Sequence, residues 1–255
     1  MSLHDANGAE GESMARWSDL TLGGVRALAE SGAIAVLPVG ATEQHGPHLA
    51  TGTDAVLAQL AAEAAAERTH DAVLPVLAYG CSLGHTDRWP GTLSLSPLTM
   101  TAVVVEIGRW VHASGFRKLV MVNSHATNGP PCQSALLQLR YELKDLRMRF
   151  VSLFDVTAEA AAGYLADAPD PHANEAETSL LLHVAPELVH LDRAVDEPDR
   201  TIGRIFQYPM PQVTTSGVVG RPSTATVDAG ERLFQTVVDG LVELLVRARA
   251  ETDPL

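Results

Sequence analysis

Three short stretches of this chain concentrate side chains that bind metal ions. GATEQHGPHLATGTD holds Glu43, His45, His48 and Asp54; NSHATNG holds Asn123, His125 and Asn128; DPHANEAETS holds Asp170, His172, Glu175 and Glu177. Glu43 and His45 stand two apart, so an extended backbone sends both side chains from one face toward adjacent positions. Asp54 opens a predicted helix, from which its carboxylate can turn back over the same place. Two carboxylates with two imidazoles make a borderline-hard ligand set, suited to zinc, manganese or iron rather than magnesium or calcium. Were Asp54 shared by two ions, each would have about three protein ligands and an open position for water, as in two-metal hydrolases. Water held there ionises near neutral pH and can attack an electrophilic carbonyl carbon.

The elements that must position these groups are legible as an α/β alternation. AIAVLPVG (33–40) is a continuous apolar run ending in Gly, the pattern of a strand buried on both faces. From Thr53, read as the cap, TDAVLAQLAAEAAAER predicts a helix with an acid in its first turn. Strand 72–80, a long loop through Thr92, helix 96–115 and strand 118–125 repeat the rhythm. A helix over 130–145 opened by two prolines, a strand over 149–156, a short helix over 175–184, loops with short strands over 185–228 and a last helix over 228–249 follow. Such alternation predicts right-handed crossovers in a mostly parallel, helix-covered sheet. In such sheets ligands sit beyond the carboxyl ends of the strands, which is where the first two of the three stretches fall.

Composition narrows the classes. With 255 residues, 46% hydrophobic and 19% charged, the chain suits one large domain over 15–255. Residues 1–14, rich in Gly, Glu, Asn and Ser, read as a flexible leader. A net charge of -13 disfavours nucleic acid and anionic membranes as partners and favours a small-molecule substrate. Cys81 and Cys132 form no metal or disulfide motif and read as buried thiols. Neither a signal-peptide pattern nor a membrane-length apolar run occurs, so a cytoplasmic location is expected.

The run LPVGATEQHGPHLATGTD resembles the opening signature of the creatininase family: a Glu, a His two residues on, and an Asp nine beyond. WPGTLSLSPLT, LVMVNSHATN, HANEAETSLLLHVAPELV and, more loosely, GVVGRPSTATVDAG extend the resemblance over roughly residues 33–230. It implies a three-layer α/β/α sandwich that binds two divalent ions: Glu43, Asp54 and His125 on one, His45 and Asp54 on the other. His172 matches a family histidine that handles substrate or shuttles a proton. Where creatininase itself has a Glu ligand two residues after the metal-binding His, this chain has Thr127, and Glu177 is the best carboxylate to complete the second site. His85, Trp89 and Thr127 are candidate substrate contacts, and His172 and Glu177 candidate catalytic groups. Homo-oligomers, commonly hexamers, are usual in the family. Gly84 before His85 and Arg221 after Gly220, where relatives often carry acids, weigh against creatinine itself as substrate.

Ordinary structural roles suffice for His4, His70, His112, His183 and His190. His48 reads as a supporting partner of its loop, Glu175 as a helix-end acid, and Asn123 and Asn128 as holders of the turn that aims His125. A serine or cysteine nucleophile and a phosphate loop lack their required settings. The sequence thus points to hydrolysis of an amide-like C–N bond in a lactam, formamide or related small substrate by a metal-bridging hydroxide. Ring opening of a cyclic keto-polyol, trimming of a small peptide, and a non-catalytic metabolite-binding subunit are the alternatives.

Overall fold

The computed structural model describes residues 15–86 and 88–254; the leader expected over 1–14 lies outside them. In chain order the principal elements are β1 (Ala15–Arg16), α1 (Leu22–Glu30), β2 (Ala35–Val39), α2 (Thr53–Thr69), β3 (Ala72–Val73), α3 (Pro97–Ala113), β4 (Lys118–Asn123), α4 (Gly129–Glu142), β5 (Arg147–Ser152), α5 (Ala158–Tyr164), α6 (Glu175–Val184), α7 (Met210–Val213) and α8 (Val227–Ala250). The five strands pair in the order β1-β3-β2-β4-β5, and every pairing is parallel. Central β2 is buried along its whole length, which is why its sequence is apolar without alternation.

Side chains alternate across the sheet and build two cores. Ile34, Val36, Val120, Val122 and Val151 face one core with Leu57, Ala61, Leu180, Leu181 and Leu241. Ala35, Leu37, Val39, Leu119 and Met121 face the other with Met100, Val104, Phe116 and Leu139. The molecule is therefore a three-layer sandwich, with α2, α6 and α8 on one face and α3 and α4 on the other. Burial at ~25 cal/mol per Å2 makes these two cores the main source of its stability.

The crossovers from β2 and β4 leave in opposite directions, α2 to one face and α4 to the other, although the strands are neighbours in register from Ala35–Leu119 to Val39–Asn123. A crevice must open where the two connections part. Gly40 ends β2 against α2: a Cβ there would lie 2.5 Å from Ala55 Cα. Only glycine lets the helix start seat so closely on the strand end.

Several expectations are corrected. Gly52, not Thr53, is the N-cap of α2, and Thr53 instead donates its hydroxyl to Ala50 O at 2.7 Å. The strand expected over 72–80 pairs only through Val73; Pro75 follows, without an N–H for the ladder, and contact resumes as a single bridge, Val39 to Leu77. Residues 185–228 hold turns and the α7 turn of helix, with isolated bridges rather than strands. β1 and α1 had no counterpart in the sequence reading. Among the described residues no helix is long and apolar enough to cross a membrane.

Candidate metal centre

Each ligand candidate is aimed by its local backbone. Beyond β2, Glu43 N donates to Thr51 O at 2.8 Å and Gln44 N to Thr92 Oγ1 at 3.0 Å, folding the 43–51 loop onto the 92–95 segment. Asp54 lies in the first turn of α2, and its carbonyl accepts Ser124 Oγ from the end of β4. His125 follows β4, where Asn123 Nδ2 donates to His125 O (2.8 Å) and Asn123 Oδ1 accepts from His125 N (3.2 Å). Asn128 spans the crevice, donating to Gly40 O and accepting from Cys81 N, both at 2.9 Å. Asn174 caps α6 by accepting from Glu177 N at 3.1 Å, and Glu177 Oε2 accepts from Ala173 N, one residue before the cap, at 2.7 Å. Ala173, beside His172, is held at φ 50, a left-handed strain of the kind that gathers at functional sites.

These elements bring Glu43, His45, Asp54, His125, His172 and Glu177 together. Three groups have ligand atoms close enough to share an ion: Glu43, Asp54 and His125; His45, Asp54 and Glu177; Glu43, His45 and His172. Asp54 Oδ1 lies 3.4 Å from His45 Nε2, and its Oδ2 lies 3.3 Å from His125 Nδ1. Glu43 Oε2 lies 3.2 Å from His125 Nε2, and Oε1 lies 3.2 Å from His85 Nδ1 and 3.5 Å from His172 Nδ1. Glu43 is wholly buried and Asp54 nearly so, yet Glu43 Oε1, Glu43 Oε2 and Asp54 Oδ2 accept no hydrogen bond. Buried carboxylate oxygens without donors are costly unless a cation meets them, so donor set and environment both fit divalent ions.

The electrostatics carry the same sign. Burial pushes Glu43 up, with Asp54 adding to the rise against the pull of His125. Asp54 goes the other way: burial opposes its charge, but the nearby rings of His45 and then His125 hold it well below the carboxylate range. Burial disfavours charge on His45 too, yet Asp54 outweighs it and raises the imidazole to about 10. His125, against the same burial, is raised to about 9 by Glu43 and Asp54. Protons on these two rings are the chain's own cations among its acids. Burial lifts Glu177 to about 7 despite His45. Burial and then positive neighbours drive His85 down to about 3 and His172 well below the imidazole range, so both are neutral.

Three further expected residues sit differently. His85 joins the cluster, but Trp89 stands partly buried outside it, with the Arg88 guanidinium 5.6 Å over its ring. Thr127 turns its hydroxyl inward, 2.6 Å from His125 Nε2 and onto Cys81 O. His48 meets Thr178 Oγ1 at 3.0 Å, behind Glu177, as a supporting partner would. Two residues escaped the sequence reading. Gln44, between two ligands in sequence, places Nε2 3.1 Å from His85 Nδ1 and donates to Gly217 O. Ser82, from the loop after β3, sits 3.1 Å from His125 Nε2 and carries no sequence signal of its own.

Known proteins share this arrangement of chain. The family model described as creatinine amidohydrolase matches residues 18–245. The mycofactocin precursor peptide peptidase of Mycolicibacterium smegmatis is 33% identical over 230 residues, 86% of this chain and 87% of that protein. The creatinine amidohydrolase of Pseudomonas putida is 32% identical over 236 residues, covering 86% and 90%. The 3-dehydro-scyllo-inosose hydrolase of Thermotoga maritima is 26% identical over 258 residues, covering 86% and 78%. A crystal structure of creatininase superposes with a TM-score of 0.81 at 30% identity, covering 94% of this chain and 99% of that one. With a family model spanning most of its length and relatives of this similarity over most of theirs, the chain belongs to the creatininase family of metal-dependent hydrolases.

Proposed function

We propose that this protein hydrolyses an amide-like C–N bond in a small substrate, a lactam, formamide or related compound, at a centre of two divalent ions. The observation that carries the proposal is the trio of donorless buried oxygens on Glu43 and Asp54, lying among two ligand groups that share Asp54. Glu43, Asp54 and His125 would hold one ion, and His45, Asp54 and Glu177 the other; zinc, manganese and iron suit this set. When bound, such ions polarise a carbonyl and acidify water.

The chain's own residues supply the rest. His172 donates through Nε2 to Gln44 O at 2.9 Å, which leaves Nδ1 unprotonated toward Glu43 Oε1. A neutral imidazole so fixed can take a proton and return it to the leaving nitrogen. Glu177, beside His45 and Asp54 in the second ligand group, is proposed for the same exchange. Gln44, pinned by Gly46 N on its oxygen and by Gly217 O on its nitrogen, is placed to offer its amide to a polar substrate. His85, Trp89 and Thr127 are proposed to border the substrate, and a homo-oligomer is the expected assembly.

A peptide substrate is favoured as the second reading, because the peptide peptidase relative is as similar as the creatinine amidohydrolase. Metal analysis of the purified, reconstituted protein should find about two ions per chain; none would leave only a binding protein. Turnover of the loaded protein should then be screened on lactams, formamides, short peptides and cyclic ketones. Glu43→Gln should abolish that turnover with the fold intact, and full activity in the variant would reject the site.

A further inference from the structure

We propose that Thr127 is a positioning residue: with the Cys81 carbonyl it holds His125 as the Nε2–H tautomer, so that Nδ1 is the nitrogen offered to an ion shared with Asp54. The inference rests on the two-ion reading above and concerns which atom of His125 serves it.

Oxygens crowd one nitrogen of this ring. Nε2 lies 2.6 Å from Thr127 Oγ1, 3.1 Å from Cys81 O, 3.1 Å from Ser82 Oγ and 3.2 Å from Glu43 Oε2. Nδ1 faces Asp54 Oδ2 at 3.3 Å. A carbonyl oxygen can only accept, and a hydroxyl has one proton to give. Thr127 gives its proton to Cys81 O. Its oxygen therefore meets Nε2 as an acceptor, and Nε2 must carry hydrogen. The bonds run in one direction, from Nε2–H to Thr127 Oγ1 and from Thr127 O–H to Cys81 O. Once a divalent ion replaces the second proton that this ring otherwise holds, the freed lone pair sits on Nδ1, 3.3 Å from Asp54 Oδ2. A cation shared by the two atoms then meets both.

His45 is set the opposite way. Its Nδ1 donates to Glu43 O at 3.1 Å, leaving Nε2 to face Asp54 Oδ1. Asp54 is thus met by Nδ1 of one histidine and Nε2 of the other, each chosen by the hydrogen bond on the far side of its ring. Thr127 sits on the exposed turn after β4, and its hydroxyl reaches inward to His125 Nε2 and Cys81 O. In this chain the position two residues beyond the histidine therefore acts through the ligand instead of serving as one.

The test uses the full-length protein loaded with cadmium-113 and labelled with nitrogen-15 in histidine. Cadmium–nitrogen coupling is expected at Nδ1 of His125 and Nε2 of His45; coupling at Nε2 of His125 would overturn the proposal. Zinc titration by calorimetry should show Thr127→Val binding one ion about tenfold to a hundredfold more weakly, the usual scale for losing an outer hydrogen bond to a ligand, and Thr127→Ser binding as the native protein does. Native affinity in Thr127→Val, or no recovery in Thr127→Ser, would also overturn it. If the native protein binds neither cadmium nor zinc, it is the two-ion reading that fails.

Discussion

Asp54 Oδ1 stands 3.4 Å from His45 Nε2, although the two groups leave different elements, the end of the β2 loop and the first turn of α2. Their meeting depends on α2 seating directly on the strand end. Asp54 is also the single side chain common to the two groups proposed to hold ions.

Asp54→Asn keeps the shape of the side chain and removes its charge. Both ion sites should weaken together, so the dialysed variant should retain neither ion, and turnover should fall on the order of a thousandfold, as when a central electrostatic stabiliser is lost. Mass-spectrometric metal content beside circular dichroism measures this; two retained ions in a folded variant would show that Asp54 is no bridge.

Ions that bind only the folded chain stabilise it by mass action. At about a hundred times the dissociation constant the gain is ~2.7 kcal/mol for each ion, so two ions give roughly 10 to 20 °C in Tm for a chain of this size. Chelation should lower Tm by that amount and zinc or manganese should restore it. Calorimetric scans that coincide with and without chelator would contradict the two-ion centre.

The parts of this site that sequence displays are those with chemical letters of their own. Glu43, His45, Asp54, His125, His172 and Glu177 could be gathered because carboxylates and imidazoles beside buried strands and capped helices have few ordinary roles there. Helices α2, α3, α6 and α8 are legible from their composition and apolar spacing, although the cap of α2 is read one residue late, and β2 and β4 from their continuous apolar runs. α1 was not, since Gly23 and Gly24 in its first turn argue against a helix that Thr21 nevertheless caps. β3 was overextended because Leu74–Leu77 is apolar enough for a strand, while Pro75 decides the pairing. Ser82 and the inward turn of Thr127 arise from contacts between loops remote in sequence, which no local pattern encodes.

Gly40→Ala tests the seating of α2. The added methyl would meet the backbone of Ala55 and Asp54, which cannot step aside without carrying Asp54 away from His125. A loss of about 2 to 3 kcal/mol in chemical denaturation is expected from overpacking, with weaker ion binding as well. Gly129→Ala, at the first residue of α4, where a Cβ meets nothing within 4 Å, is the control and should change little. Equal behaviour of the two variants would mean that the close approach is dispensable.

Glu197 governs a pH dependence away from the ion ligands. Its carboxylate accepts from Thr214 Oγ1 (2.6 Å), Thr215 N (2.8 Å), Ser216 N (3.0 Å) and Ser216 Oγ (2.6 Å), and it pairs with Arg200. Its backbone bridges to Gly220, and the adjoining Val219 bridges to His172. Burial opposes the charge, but the hydroxyl bonds of Ser216 and Thr214 and the amides of Thr215 and Ser216 hold the carboxyl well below its usual range. A folded-state pKa below the unfolded one means that this stabilisation is complete above the unfolded value, roughly 4.3, and is lost as pH falls toward the folded one. Glu197→Gln should therefore unfold at lower denaturant than the native chain at pH 7, with the gap closing as pH falls below about 4. Denaturant midpoints measured across that range decide it: a gap that stays constant with pH would assign the effect of Glu197 to its shape and not to its charge.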